Sequence, residues 1–236
     1  MKKLKFIVSG TSRSGTMYMA KLLTSLGFEC GHESIFTTDG LDEALQKIAG
    51  KKKITNSICA HKNGFFINQE NLCADSSYLS APFLGHQEFK DVKIIHVVRN
   101  PIKVISSTLI DANFFSNDAQ RPFVNFVETY LPELKNISNF KEKAMYYYVN
   151  WNLMVQKNCT NVNYKKIVLE NGVSEEFFSF IGVQQTHNYH QDNKTNCWHN
   201  RKKDLEISDL PNGEIKNSFL KIMDAYGYPQ KKIYLI

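Results

Sequence analysis

The sequence predicts an α/β fold, a three-layer α/β/α sandwich around a central parallel sheet. Two segments carry this prediction: an apolar run at 4–8 that leads through a glycine-containing loop into a helical repeat, and a β-branched run at 94–98 followed by a second helix start. A possible strand at 57–61 lies between them. Strands that alternate with helices are typical of parallel sheets. With 236 residues, 42% of them hydrophobic, the chain is predicted to form one domain, 1–236.

In the first segment, Ser9 and Gly10 end the strand, and a helical period begins at Thr16. Its apolar positions follow the i, i+3, i+4, i+7 spacing of one helix face, and Gly27 supplies the C-terminal stop. These positions are Met19, Leu22, Leu23 and Leu26. The loop at 10–16 therefore joins a strand end to a helix N-terminus, where backbone N–H groups can hold an anion.

In the second segment, Asn100 is a predicted N-cap and Pro101 a first helical residue. The apolar stripe of this helix is predicted to consist of Ile102, Ile105 and Leu109. At about 100° per residue, Ser107 falls off that stripe and near Lys103, so its hydroxyl need not be buried in the core.

Aromatic residues are dense over 111–157, and a last helix is predicted from about Gly213 to Tyr226. The aromatic segment is interpreted as helices packed over one end of the sheet, bordering an acceptor pocket. An aromatic core layer is an equally good interpretation. Its rings are Phe114, Phe115, Phe123, Phe126, Tyr130, Tyr146, Tyr147, Tyr148 and Trp151.

Composition excludes several classes of protein. The 29 basic and 23 acidic residues give a net charge of +6, which suits anionic ligands but is too mild for nucleic-acid binding. No run approaches the roughly 18 apolar residues of a membrane span, and the N-terminal apolar run is too short for a secretory signal. The five cysteines are odd in number and form no C-x-x-C pair. A cytoplasmic protein without nucleic-acid or membrane partners is expected.

The loop at 10–16 keeps the G-x-x-x-x-G frame of an ATP-binding P-loop but not its last two residues. Thr16 and Met17 stand where that motif has a lysine and a Mg²⁺-binding hydroxyl. Because methionine is no ligand for a hard cation, a kinase or ATPase is disfavoured. The loop instead carries a cation of its own, Arg13, one of only four arginines in the chain.

This loop resembles the 5′-phosphosulfate-binding loop of the sulfotransferases that use 3′-phosphoadenosine 5′-phosphosulfate (PAPS), in the arginine-bearing form of tyrosylprotein and many bacterial members. The resemblance implies a P-loop-like sulfotransferase fold and a donor site made by the loop and the residue after it. These residues are Gly10, Thr11, Ser12, Arg13, Ser14, Gly15, Thr16 and Met17.

Two further stretches are similar to sequences of the same family. Arg99-Asn100-Pro101 with Ser107 matches its second signature, which implies that Arg99 and Ser107 bind the 3′-phosphate of the nucleotide. The stretch 200–203 resembles the basic segment that closes over the nucleotide, which implies a 3′-phosphate contact from Arg201 or Lys202. A solvated basic loop is an equally good interpretation of this last stretch.

The family also suggests the catalytic base. Cys30-Gly31-His32-Glu33 resembles the Cys-Gly-Glu-Glu stretch of tyrosylprotein sulfotransferases, and Glu33 aligns with its catalytic glutamate. His32 replaces the first glutamate. His61 is the rival base, by analogy with the histidine of the cytosolic members, and Asp39 is a third candidate. Arg13 would stabilise the leaving group.

The resemblance implies sulfuryl transfer from PAPS, without a metal, to a small-molecule, glycan or peptide acceptor that the sequence does not identify. Two alternatives stay open: a P-loop kinase acting on a nucleotide or small molecule, and a catalytically inactive nucleotide-binding protein on the same fold. A zinc site is not expected, because the spacing of its possible ligands fits no usual pattern. Those ligands would be His187, His190, Cys197 and His199.

Overall fold

The computed structural model describes residues 3–55, 64, 66–159, 163–184 and 205–228. The chain divides into two compact units. The first unit comprises Met1–Val98 and Leu153–Cys197, and the second comprises Arg99–Asn152 and Trp198–Ile236. That the chain forms one domain stays a prediction.

The regular elements alternate as in an α/β protein. The strands are β1 (Phe6–Ser9), β2 (Cys30–His32), β3 (Ala74–Ser76), β4 (Lys93–Val98) and β5 (Tyr164–Val168). The α-helices are α1 (Thr16–Ser25), α2 (Leu41–Ile48), α3 (Pro101–Ser106), α4 (Arg121–Tyr130), α5 (Phe140–Asn158), α6 (Glu175–Ile181) and α7 (Glu214–Ala225). Short 3₁₀ turns lie at Tyr78–Phe83, Gln87–Phe89, Asp118–Gln120, Pro132–Asn136, Leu169–Asn171 and Ile207–Asp209.

All five strands belong to one parallel sheet in the order β2-β3-β1-β4-β5. The chain leaves β1 toward one edge of the sheet, whereas β4 leads to the other edge. The neighbouring strands β1 and β4 therefore form the switch point of the sheet, and ligands of open α/β sheets collect at the carboxyl ends of such strands. The predicted α/β class with a central parallel sheet is confirmed.

The core of the first unit lies between one face of this sheet and helices α1 and α6. Alternate residues of each strand supply the sheet side, as the two-residue period of a strand requires. The buried residues of this core include Phe6, Val8, Ile95, Val97 and Ile167 from the sheet, Met19, Leu22 and Leu23 from α1, and Phe177 and Phe178 from α6. The predicted strand before Ser9 and the predicted helix from Thr16 are thus confirmed, whereas 57–61 lies outside the described residues.

The start of α3 also follows its sequence signal. The Oδ1 atom of Asn100 accepts a hydrogen bond from the Lys103 backbone N–H at 3.2 Å, and Pro101 occupies the first helical position. An N-cap of this kind satisfies one of the donors that every helix N-terminus leaves unpaired. The predicted helix start is confirmed.

The predicted apolar stripe of this helix is wrong in part. Beyond Ser106 the helix widens into a π turn over Ser107–Asp111, closed by a 3.0 Å bond from the Ala112 N–H to the Ser107 carbonyl. The buried residues run continuously over 104–108, so this segment is covered on all sides rather than along one stripe, and Ile102 and Leu109 are only half-buried. Ser107 is 1% exposed, so its side chain is buried.

The aromatic segment of the second unit is helical, as predicted, and its rings pack against one another. Tyr147 stacks on Phe114 with centroids 5.8 Å apart and also contacts Trp151 at 5.6 Å. Tyr148 meets Phe219 of the last helix edge-on at 5.7 Å. All five rings are buried, which favours the aromatic core layer over an acceptor pocket for these residues.

The last predicted helix, Gly213 to Tyr226, appears as α7, with Gly213 as its N-cap residue.

Within the described ranges, no helix has both the length and the apolar character needed to cross a membrane.

Candidate anion-binding loop and catalytic base

The loop between β1 and α1 has the backbone of an anion site. Ser14 closes a turn on the Thr11 carbonyl, with its N–H at 3.3 Å and its hydroxyl at 2.7 Å. Arg13 (φ 67°) and Gly15 (φ 107°) adopt the left-handed conformation. Turns of this kind bring successive N–H groups to one concave surface, and the N-terminus of α1 adds its dipole there. The backbone of the loop therefore has the kind of geometry that suits an anion.

The close approach of the loop to β4 explains why its first residue, Gly10, is a glycine. A Cβ atom on Gly10 would lie 2.3 Å from the Val97 carbonyl oxygen and 2.7 Å from the Ser14 hydroxyl. Neither neighbour has space to move, because one is strand backbone and the other closes the loop turn. Only glycine allows the loop to leave β1 this close to β4.

The variant Gly10→Ala is therefore expected to lower the free energy of unfolding by about 1–3 kcal/mol through overpacking, and to weaken anion binding at the loop. Urea unfolding and calorimetric titration would measure the two effects. Gly85→Ala is the matched control, since the nearest atom to a Cβ there is 3.5 Å away, an ordinary contact. Equal stabilities for the two variants would contradict the packing argument.

Two buried hydroxyls beside the loop lack a partner. The Thr11 Oγ1 and Ser9 Oγ atoms are fully buried and have no hydrogen-bond partner in the part of the chain that the structure describes. An unsatisfied buried hydroxyl costs about 1–3 kcal/mol. Because Thr11 belongs to the loop, an anion bound there could accept the bond of its hydroxyl, so the loop residues fit a phosphate or sulfate group.

The N-terminus of α1 is fixed to the neighbouring strands by two further bonds. Thr16 Oγ1 lies 3.2 Å from the Nε2 atom of His32 on β2, and the Ser76 hydroxyl of β3 donates to the Thr16 carbonyl at 2.7 Å. Burial lowers the pKa of His32 to about 4, so this imidazole is neutral at neutral pH. His32 is thus a neutral anchor for the loop.

Glu33, the predicted base, immediately follows β2. Its backbone is left-handed (φ 51°), and its N–H donates to the Ser76 carbonyl at 3.2 Å. Its side chain is half-buried. Desolvation, and then the charge of Asp75, raise the pKa of this carboxyl to about 7, while Arg13 acts in the opposite direction. A carboxylate with this pKa and some exposure suits a general base at neutral pH.

The sequence alone did not identify Asp75, which lies on β3, as a residue of this site. Its Oδ1 atom accepts the Ser34 N–H at 3.1 Å, and its Oδ2 atom accepts the N–H groups of Ile35 at 3.2 Å and Phe36 at 3.0 Å. Burial raises the pKa of Asp75 to about 6, against the effect of these bonds and of Lys47. The only signal in the sequence is a short apolar run, 72–74, that ends in an acid.

Arg13 of the loop and Glu33 both lie in the first unit, and the charge of Arg13 acts to lower the pKa of Glu33. Met17 is buried in the hydrophobic core, so only its backbone could meet a ligand. Asp39, the third candidate base, is exposed and accepts a hydrogen bond from the Thr37 hydroxyl at 2.8 Å.

Arg99 and Ser107 belong to the second unit. Arg99 directly follows β4, and its carbonyl accepts a hydrogen bond from the Tyr148 hydroxyl at 3.1 Å. Three further predicted site residues, His61, Arg201 and Lys202, lie outside the described residues. The four possible zinc ligands named above also lie outside them. Within the described ranges, no group of three or more His, Cys, Asp or Glu side chains is placed to hold a metal ion.

No protein-family model matches the sequence, and no curated protein matches it. Two solved structures are similar over most of the chain. The sulfotransferase domain from the Synechococcus PCC 7002 olefin synthase is 15% identical, with a TM-score of 0.47, and the match covers 97% of this chain and 96% of that domain. A sulfotransferase from Alicyclobacillus acidocaldarius is 11% identical, with a TM-score of 0.45 and coverages of 96% and 93%. Similarity this low says nothing about activity, which depends on the residues of the site.

Proposed function

We propose that the protein is a sulfotransferase that moves a sulfuryl group from PAPS to a hydroxyl or amine of its acceptor and leaves adenosine 3′,5′-bisphosphate. The observation that carries the proposal is the pairing of an anion-binding loop with a carboxylate of pKa about 7 that interacts electrostatically with the loop cation, Arg13. A cation for the leaving group and a base for the acceptor are the two groups that such a transfer needs.

The donor would bind through the residues of the loop. Its 5′-phosphosulfate would meet the N–H groups of 10–16, the guanidinium of Arg13 and the unpartnered Thr11 hydroxyl. The assignment of Arg99 and Ser107 to the 3′-phosphate rests on the resemblance of their sequence motif alone. A 3′-phosphate site would distinguish this donor from ATP.

The reaction would be an in-line displacement at sulfur. The acceptor oxygen or nitrogen forms a bond to sulfur as the bond from sulfur to the bridging oxygen breaks, and the electron pair of that bond stays on the phosphate of the product. Glu33 takes the proton that the acceptor loses. Arg13 and the loop N–H groups stabilise the charge that develops on the bridging oxygen.

A magnesium-dependent kinase fits these residues less well. The position that would ligate Mg²⁺ is Met17, whose side chain is buried in the core. The position of the P-loop lysine is Thr16, whose hydroxyl lies 3.2 Å from the His32 ring. Neither residue can take the role of its P-loop counterpart.

Calorimetric titration with adenosine 3′,5′-bisphosphate in the presence of EDTA, compared with ATP–Mg²⁺, tests the proposal. The bisphosphate should bind without metal and more tightly than ATP–Mg²⁺. Arg99→Ala should weaken its binding by about tenfold or more, the effect of losing a charged hydrogen bond, whereas the exposed Arg121→Ala should not. Preference for ATP–Mg²⁺, or no binding of either nucleotide, would refute the proposed function.

A further inference from the structure

Asp75 is a buried carboxylate that the proposed chemistry does not use. It lies in the middle strand of three, β2-β3-β1, and is fully buried. It cannot be the base itself, because both of its oxygens accept backbone N–H groups and neither is open to an acceptor. Its contacts all lead to the turn that follows β2, which carries Glu33.

We propose that Asp75 is a positioning residue for Glu33: by binding the N–H groups of the three residues after Glu33, it fixes the backbone from which the Glu33 carboxylate is presented. The inference rests on the proposed function in one respect, namely the role of Glu33 as the base.

The backbone of Glu33 needs such support. A residue with a side chain pays about 1–2 kcal/mol for the left-handed conformation, and it keeps that conformation only where its surroundings hold it. On one side, the Glu33 N–H is bound to the Ser76 carbonyl. On the other side, Asp75 binds the N–H groups of 34–36, and the Ser77 hydroxyl donates to the Phe36 carbonyl at 2.9 Å. Strand β3 and the residue after it thus hold the turn at both ends.

The sequence of β2 leaves room for this arrangement. A Cβ atom on Gly31 would lie 2.5 Å from Asp75 Oδ1 and 2.8 Å from the Ser34 Cβ atom. Gly31 and Asp75 are also direct neighbours in the strand register. The carboxylate can reach the turn because its neighbour on β2 has no side chain.

Charge links the two carboxyl groups as well. Among the described residues, the charge of Asp75 raises the pKa of Glu33 after desolvation, and the charge of Arg13 lowers it. The charge of Lys47 acts to lower the pKa of Asp75; Lys47 is itself buried, and its Nζ atom lies 3.9 Å from Glu43 Oε1. Burial raises the pKa of the Cys30 thiol, and the charge of Asp75 adds to this effect, with Cys73 and Glu29 acting in the same direction.

Carbon-13 NMR of the side-chain carboxyl groups during a pH titration would test the inference without an acceptor. The Glu33 resonance is assigned by its loss in Glu33→Gln. In wild type it should titrate near pH 7. In Asp75→Asn its midpoint should fall by about one pH unit or more, since a like charge is removed. In the matched control Asp42→Asn, an exposed aspartate on α2, the midpoint should not move. The amide signals of Ser34, Ile35 and Phe36, which donate to Asp75, should also shift in Asp75→Asn. An unchanged midpoint together with unchanged amide signals would overturn the inference.

If Asp75→Asn fails to fold, a measurement on the wild-type protein can test the inference instead. Coupled carboxyls report each other's ionisation, so the Glu33 resonance should show a second, smaller inflection at the midpoint of Asp75. The amide signals of Ser34, Ile35 and Phe36, whose N–H groups Asp75 accepts, should shift at the same midpoint. A single inflection without such an amide shift would overturn the inference. Binding of adenosine 3′,5′-bisphosphate separates the two proposals: if the wild type does not bind it, the proposed function fails, while the coupling of the two carboxyls can still be present or absent.

Discussion

Replacing Glu33 by glutamine should lower the turnover rate by about 10²–10⁴-fold, the usual contribution of a general base. Glutamine keeps the size of the side chain but cannot take a proton from the acceptor. Since the loop and Arg13 are unchanged, affinity for adenosine 3′,5′-bisphosphate should stay close to wild type. The measurement is the release of this product from PAPS with the best acceptor from a panel of small molecules, glycans and peptides.

The same base should set the pH dependence of the wild-type rate. Burial and Asp75 raise the pKa of Glu33 to about 7, so the active, deprotonated form gains as pH rises. The rate should therefore climb through pH 7 and level off above it, and this rise should be absent in Glu33→Gln. Glu70→Gln, a change at an exposed glutamate, is the control and should behave as wild type. A wild-type rate in Glu33→Gln would rule out Glu33 as the base and leave His61 and Asp39 as the candidates.

Removing the side chain of Arg13 should lower turnover by about 10²–10³-fold, because one donor to the developing charge is lost. Arg13→Gly separates a loss of activity from a loss of stability better than Arg13→Ala does. The left-handed backbone at this position costs an alanine about 1–2 kcal/mol but costs glycine almost nothing. Arg13→Gly should therefore be more stable than Arg13→Ala while both lose the same activity. Thermal unfolding and product release together would measure this separation of stability from function.

Arg121→Ala is the control for the loss of an arginine, since Arg121 is exposed at the start of α4. It should keep the wild-type rate. If Arg13→Gly were less stable than Arg13→Ala, the left-handed conformation of the loop would be wrong. If both Arg13 variants kept full turnover, the loop cation would have no part in the chemistry.

Elements with a strong local signal could be predicted from the sequence. Strands β1 and β4 are continuous apolar runs, α1 has the helical spacing, and Asn100-Pro101 gives the start of α3. Each signal depends on neighbours within a few residues of the chain, so no knowledge of the tertiary structure is needed to interpret it.

Strands β2, β3 and β5 could not be predicted in this way. β2 and β3 have only three residues each, too few to show a period, and β5 contains two lysines. They are strands because they pair with neighbours already in place in the sheet. The π turn over Ser107–Asp111 could not be predicted either, because the helical period of the sequence gives no sign of it.

The sequence by itself determined the chemistry that the first loop can offer: two glycines, one arginine, and a methionine where a magnesium ligand would stand. Residue types and spacing carry that information directly. Only the tertiary structure decided the properties of Glu33, because its pKa and its backbone depend on a carboxylate forty-two residues away, at Asp75, that strand pairing brings beside it. Desolvation and charge act through space rather than along the chain, so no local pattern can report them.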